Sequence, residues 1–184
     1  MLLALYNITE HNSNSAPASN LSSINLTLKK IVSGGQTGAD RAALDAALHH
    51  GFPHGGWLPR GRKAEDGPVA KRYKLQEMVS SDYRKRTRQN VIDSDGTLIV
   101  SHGELHGGSL LTRVEAERRG CPWLHLDMKR LAEAEATAIL RSWLVEHSIG
   151  VLNVAGPRAS GDPDIYQKVY RIVSVLLVEA NNLP

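Results

Sequence analysis

Three times in this chain a short apolar run ends in a polar loop that contains glycine. Lys29-Lys30-Ile31-Val32-Ser33 leads into Gly34-Gly35-Gln36-Thr37-Gly38, Gly96-Thr97-Leu98-Ile99-Val100-Ser101 leads into Gly107-Gly108-Ser109, and the run from Ile149 to Val154 leads into Ala155-Gly156-Pro157-Arg158. Helix-patterned segments follow at about 39–50, 110–119 and 164–179. Two more helices are expected at 82–92 and 131–147, the second with Ile139, Leu140, Trp143 and Leu144 on one side. Short strands are expected near 54–57 and from Pro122 to Leu126, and the Pro- and Gly-rich segment 58–68 reads as loop. Strands that alternate with helices specify an α/β fold: a doubly wound, mainly parallel sheet in a single domain. Such sheets bind ligands beyond the carboxyl ends of their strands, so the three loops are expected to converge on one crevice.

The length, 184 residues, suits one domain with a core of its own. A single cysteine excludes an internal disulfide framework and a thiolate-rich zinc site; Cys121, ahead of Pro122, reads as a small buried filler. No apolar run approaches the roughly 20 residues of a membrane span, and the first residues lack the basic start of a signal peptide, so a cytoplasmic protein is expected. Residues 1–27, rich in Asn, Ser and Thr, read as a flexible N-terminal arm, with the folded domain at 28–184.

The net charge of +3 is unevenly placed. Ten basic and four acidic residues fall between Arg60 and Arg88, so this one stretch carries the whole surplus. The stretch can form a site for an anionic ligand, a nucleic-acid surface or a solvated face; in its first part, Arg60 or Arg62 is a candidate to close over an anion. Its second part, Arg84 to Arg88, reads as a solvated helix face. A nucleic-acid surface would need aromatics interleaved with the cations; only Tyr73 and Tyr83 are present, and no DNA-binding module is recognisable.

The loops carry the candidate chemistry. In Gly34-Gly35-Gln36-Thr37-Gly38-Ala39-Asp40, glycines let the backbone approach an anion, the following helix offers free N–H groups, and Thr37 adds a donor. The alternative is a tight turn in which Thr37 or Asp40 serves the helix start. The spacing matches neither the dinucleotide fingerprint nor the P-loop, and no lysine follows. Gly107, Gly108, Ser109 and Thr112 form a second anion-friendly helix start; the alternative is a helix simply capped by Ser109. Asn153, Gly156 and Arg158 supply an amide, a flexible point and a guanidinium that can fork onto phosphate or carboxylate. Trp57, in a loop, is the candidate to stack on a flat ring. Asp40 and Glu115 are the acids placed for proton transfer. The eight histidines show no metal-ligand spacing, although His102 and His106 share the second loop.

Ser33-Gly34-Gly35-Gln36-Thr37-Gly38-Ala39-Asp40-Arg41-Ala42-Ala43-Leu44-Asp45 resembles the opening motif of the bacterial family called putative molybdenum carrier, or YpsA-related SLOG proteins. The likeness continues through Gly56 to Gly67, Asn90-Val91, Ser94 to Thr97, Gly107-Gly108 with Leu111-Thr112, and Leu152 to Arg158, covering about 28–178. It implies a Rossmann-like fold, related to molybdenum-cofactor carriers that hold a phosphorylated pterin. It also implies kinship with phosphoribohydrolases that cleave nucleoside monophosphates at the glycosidic bond, and assembly into a homo-oligomer, a dimer or tetramer. The hydrolases carry a P-G-G-x-G-T-x-x-E block. Here His106 replaces its proline, Leu110 its third glycine, and Thr112 and Glu115 each come one residue late, which turns Glu115 about 100° from the hydrolase face.

Three functions stand side by side at this point. The first is a binding or carrier protein for a small phosphorylated ligand, a nucleotide derivative or the molybdenum cofactor. The second is a nucleotide N-glycosidase. The third, disfavoured by composition, is a nucleic-acid surface.

Overall fold

The computed structural model describes residues 26–181. Nine strands and five helices follow one another: β1 (Lys30–Val32), α1 (Ala39–His49), β2 (His54–Gly55), β3 (Trp57–Leu58), β4 (Lys63–Ala64), β5 (Gly67–Pro68), β6 (Gln76–Glu77), α2 (Tyr83–Ile92), β7 (Gly96–Ser101), α3 (Gly107–Arg118), β8 (Trp123–Asp127), α4 (Glu133–Glu146), β9 (Val151–Ala155) and α5 (Ile165–Asn181). Five strands form the central sheet in the order β2-β1-β9-β7-β8, every neighbouring pair parallel. This is the Rossmann-like, doubly wound single domain expected from the alternation.

Period-two alternation sorts the strand residues between two faces. Leu98 and Val100 of β7, Leu152 and Val154 of β9 and Leu126 of β8 share one apolar cluster with α1, α4 and α5. Small residues let α1 and α5 come close: Ala39, Ala42, Ala43, Ala46 and Ala47 are fully buried, and Val169, Ile172, Val173, Leu176 and Leu177 are buried with them. The other face is more polar. Thr97, Ile99 and Asn153 lie there, α2 packs on α3, and the Arg113 guanidinium sits 4.8 Å from the centre of the Trp123 ring. Asp82 starts α2 by accepting a 2.8 Å bond from the Arg84 N–H.

Segment 58–68, expected as loop, contains more order than its glycines and prolines announced. β4 and β5 form a small hairpin, and β3 pairs in parallel with β6. The ordering comes from outside the segment: Leu58, Val69, Tyr73 and Leu75 bury a second apolar cluster against Leu44 of α1. α3 also begins at Gly107, three residues before the expected Leu110. Two glycines read as loop, yet in a first turn their N–H groups need no intrahelical acceptor. Most of the expected arm lies outside the described residues. Its last two members are tied to the domain, Leu26 by burial and the exposed Thr27 through its hydroxyl, which donates to the Ile149 carbonyl at 3.1 Å. Cys121 is half-buried. No described helix is long and apolar enough to cross a membrane.

Candidate functional site

β1, β9 and β7 are adjacent at the middle of the sheet, and the loops beyond their carboxyl ends surround a crevice of about 620 Å³. Gln36 and Asp40 line it from the first loop and helix, His102, His106, Gly107 and Gly108 from the second, and Gly156, Arg158 and Gly161 from the third. α2 closes the side with Tyr83, Arg84 and Arg86. A shallower depression of about 710 Å³ lies beside α1 and α5, where Asp45 accepts from the Tyr73 and Tyr166 hydroxyls at 2.7 and 2.8 Å. Its charged and aromatic polar groups pair with one another, Asp45 with Arg72 and Tyr166 and His49 with Tyr170, so the crevice at the strand ends is the candidate.

The two glycine loops are built differently. In the first, a side chain at any of several glycines would strike protein. A Cβ at Gly34 would meet the Arg86 guanidinium; at Gly35, Leu58 and Leu75; at Gly38, the Pro157 carbonyl oxygen at 2.4 Å. Gly38 has φ +72°, and the next residue's N–H, that of Ala39, donates to Pro157 at 3.2 Å. Gln36 accepts from the Thr37 and Glu65 N–H groups at 3.0 and 2.9 Å. Arg41 spans from the Gly35 carbonyl, at 3.0 Å, to Asp66, at 3.2 Å. The second loop carries no such packing. A Cβ at Gly107 or Gly108 would meet nothing within 4 Å. No side chain caps α3, and the Ser109 and Leu110 N–H groups turn back to His106. The N–H groups of Gly107 and Gly108 have no acceptor among the described residues. Thr112 donates to the Gly108 carbonyl at 2.9 Å, and Ser109 is buried at the crevice wall.

The basic stretch is disposed opposite to expectation. Arg60 does not line the crevice, and the Arg62 guanidinium is wrapped by the carbonyls of Val69, Ala70, Tyr73 and Leu75 at 2.8 to 3.3 Å. It is Arg84 and Arg86 of α2, expected on a solvated face, that reach the crevice. Arg86 donates to Asp40 at 3.1 Å, while its Nε is buried with no partner among the described residues. Burial pushes the Asp40 carboxyl above its ordinary range, and the Arg86 guanidinium pulls against that shift without reversing it. A run of cations every few residues along a helix looks the same whether it meets water or a binding site, which is why the helix pattern misassigned it.

Other expected site residues are set elsewhere. Trp57 is held outside the crevice, its N–H accepted by Asn90 and its Nε1 donating to Asp93 at 2.6 Å; the aromatic at the crevice wall is Tyr83. Asn153 is buried in the sheet and donates to Thr97 at 3.3 Å. Glu115 is buried against α2, gripped by Arg88 through contacts of 3.2 and 3.3 Å, with Arg119 at 3.9 Å. It does not line the crevice, so Asp40 alone of the two candidate acids does.

Two pairings escaped sequence reasoning because the partners are distant in the chain, although the sequence makes His102 itself a candidate to touch a ligand. His102, which lines the crevice, meets Asp162 through Nδ1 at 2.8 and 3.1 Å, a pair that orients the ring and leaves its other nitrogen without a partner among the described residues. Glu65, at the turn of the β4–β5 hairpin, accepts from the Thr37 hydroxyl, from the Ser160 N–H at 3.1 Å and from the Ser160 hydroxyl at 2.5 Å. Arg158 lies 3.4 Å from the same carboxylate. The Ser160 and Thr37 hydroxyls hold the Glu65 carboxyl below its ordinary range. Among the described residues, no three His, Cys, Asp or Glu side chains gather as a metal site.

Comparison with known proteins follows this geometry. Residues 31–177 match the model of the circularly permutated YpsA SLOG family. A putative molybdenum carrier protein from Syntrophus aciditrophicus SB, known by crystal structure, is 56% identical over 82% of this chain and 96% of its own, with a TM-score of 0.81. No curated protein matches. With most of the described residues inside the family's model, and its glycine loops arranged around one crevice, the chain belongs to the circularly permutated YpsA family of SLOG proteins.

Proposed function

We propose that this protein is a binding or carrier protein that holds a phosphorylated heterocycle, a nucleotide derivative or the molybdenum cofactor, in the crevice beyond β1, β9 and β7. The observation that carries this reading is the start of α3. Two adjacent glycines that line a crevice shared with Arg84 and Arg86 have N–H groups without acceptors among the described residues, and a missing Cβ at each leaves room for a ligand oxygen to approach. Tyr83 offers a face for a ring. The likeness to a protein described as a molybdenum carrier favours carriage over turnover. Titration calorimetry with nucleoside monophosphates and a phosphorylated pterin tests the reading. Binding is expected to fall at least about tenfold in Gly108→Asp, which puts a carboxylate where the phosphate would lie. If none of these compounds binds, and mass spectrometry under native conditions finds nothing copurified, the reading fails. We propose further that the protein assembles as a dimer or tetramer, which light scattering reads directly.

A second reading, a nucleotide N-glycosidase, is favoured by one observation: an acid raised by burial, Asp40, and an oriented imidazole, His102, line the same crevice. Base release from nucleoside monophosphates, lost in Asp40→Asn, would support it. Release unchanged by both Asp40→Asn and His102→Gln would remove these residues from the chemistry.

A further inference from the structure

The donors around Glu65 form a receptor for an oxyanion. Thr37 and Ser160 contribute hydroxyls, Ser160 an N–H, and Arg158 a guanidinium, and all of them converge on one carboxylate. They come from two loops at the carboxyl ends of adjacent strands, β1 and β9; Glu65 and Arg158 line the crevice, and Thr37 and Ser160 stand directly behind them at its edge. The carboxylate arrives from a third place, the two-residue turn of a hairpin whose strands are two residues each. The base of that hairpin is closed by bonds between Arg62 and Val69, and its turn is held by fewer contacts. The Glu65 N–H donates to Gln36, and the half-exposed Asp66 meets the largely buried Arg41. The apolar cluster beneath it holds Leu58, Val69, Tyr73 and Leu75 and touches the hairpin through half-buried Ala64.

We infer that Glu65 is an internal anion that fills a second oxyanion subsite of the crevice, made by Thr37, Ser160 and Arg158, and that a ligand phosphate or carboxylate must displace it. This rests on the proposed reading of the crevice as a site for phosphorylated ligands, and adds its regulation. A carboxylate offers two oxygens in a plane, whereas a phosphate presents three or four acceptors, so the same donors can serve either. Both cannot be bound together, because two anions on one set of donors repel each other. While Glu65 is seated, apparent affinity at this subsite is the intrinsic affinity multiplied by the fraction of molecules in which the hairpin has released it. Displacement swings out Glu65 and frees Gln36, which holds the hairpin's N–H, so occupancy of the subsite is coupled to the position of residues 63–68.

The experiment uses the full chain and inorganic phosphate at fixed pH and ionic strength. Glu65→Gln keeps the size of the side chain and the backbone bond to Gln36 while removing the charge; Glu65→Ala empties the subsite. Both are expected to bind phosphate at least about tenfold more tightly than the wild type by calorimetry. Glu117→Gln, which removes an equal charge from an exposed pair with Arg113, is expected to leave phosphate binding unchanged. In the wild type, saturating phosphate is expected to speed hydrogen exchange at the Glu65 amide. The inference is overturned if neither Glu65 variant gains affinity, or if Glu117→Gln gains as much. Failure is separable from failure of the functional reading. A wild type that binds no nucleotide or pterin defeats that reading even where the Glu65 variants gain phosphate affinity. Variants without the gain defeat the internal anion even where nucleotides bind.

Discussion

The two glycine loops make similar sequences and opposite surfaces. Gly34, Gly35 and Gly38 are glycines because protein occupies the space a side chain would need, while Gly107 and Gly108 border space that protein leaves open. The first loop is therefore a joint, where β1, α1 and the segment after β9 meet at backbone distance. The second is a rim. Glycine density in a strand-to-helix turn does not separate these cases; the separation depends on residues more than a hundred positions away, such as Pro157 against Gly38.

The largest effect expected from this contrast is in paired alanine substitutions. Gly38→Ala forces a left-handed backbone and a 2.4 Å overlap with Pro157, and should cost about 3 kcal/mol or more in urea unfolding. Gly108→Ala, in a helical first turn with open surroundings, should stay within about 1 kcal/mol of the wild type. Equal costs would break the distinction between joint and rim. Next comes Arg86→Met. It leaves Asp40 buried without its partner, and about 3 kcal/mol of stability at neutral pH should be lost. Because the stranded carboxyl then takes up a proton, the deficit should shrink as pH falls; a pH-independent deficit would show that Arg86 acts by packing alone.

A smaller effect is expected at Glu115. Glu115→Gln weakens the grip of Arg88 on α3, for about 1–2 kcal/mol, and leaves ligand binding unchanged because the residue does not line the crevice. A loss of binding without a loss of stability would return Glu115 to the site. The smallest concerns the joint itself in acid. The Glu65 carboxyl lies below its ordinary value of 4.5, so its contribution is present above that pH and disappears as pH falls through the lower folded value. The melting temperatures of the wild type and Glu65→Gln should therefore converge in acid and separate toward neutrality. Divergence in acid would reverse the sign of the interaction.

The sheet and its helices were legible in the sequence because their signals are local. Ile31-Val32, Leu98 to Val100 and Leu152 to Val154 are apolar runs bounded by polar turns, and Ala43, Leu44, Ala47 and Leu48 repeat at helical spacing. The convergence of three loops on a crevice followed from strand direction alone. Individual site residues were less legible. Arg86 and Asp40 meet across 46 residues, His102 and Asp162 across 60, and no local pattern announces either pair. Trp57 and Arg62 stand in a motif of the resembling family and yet hold the fold, Trp57 through Asp93 and Arg62 through four carbonyls. A motif records that residues are needed together, and structure separates those needed to touch a ligand from those that keep the wall in place.

β9 lies between β1 and β7 although it is the last of the described strands. During synthesis, β1 and β7 leave the ribosome well before the strand that will join them, and until β9 inserts neither has its inner neighbour. The nascent chain thus carries two unfinished half-sheets whose exposed edges invite wrong pairing, and closing them requires contacts more than a hundred residues apart. The crevice, bounded by loops after all three strands, comes into being only at that closure. A chain cut short before β9 would retain most of the glycine motif and assemble no pocket.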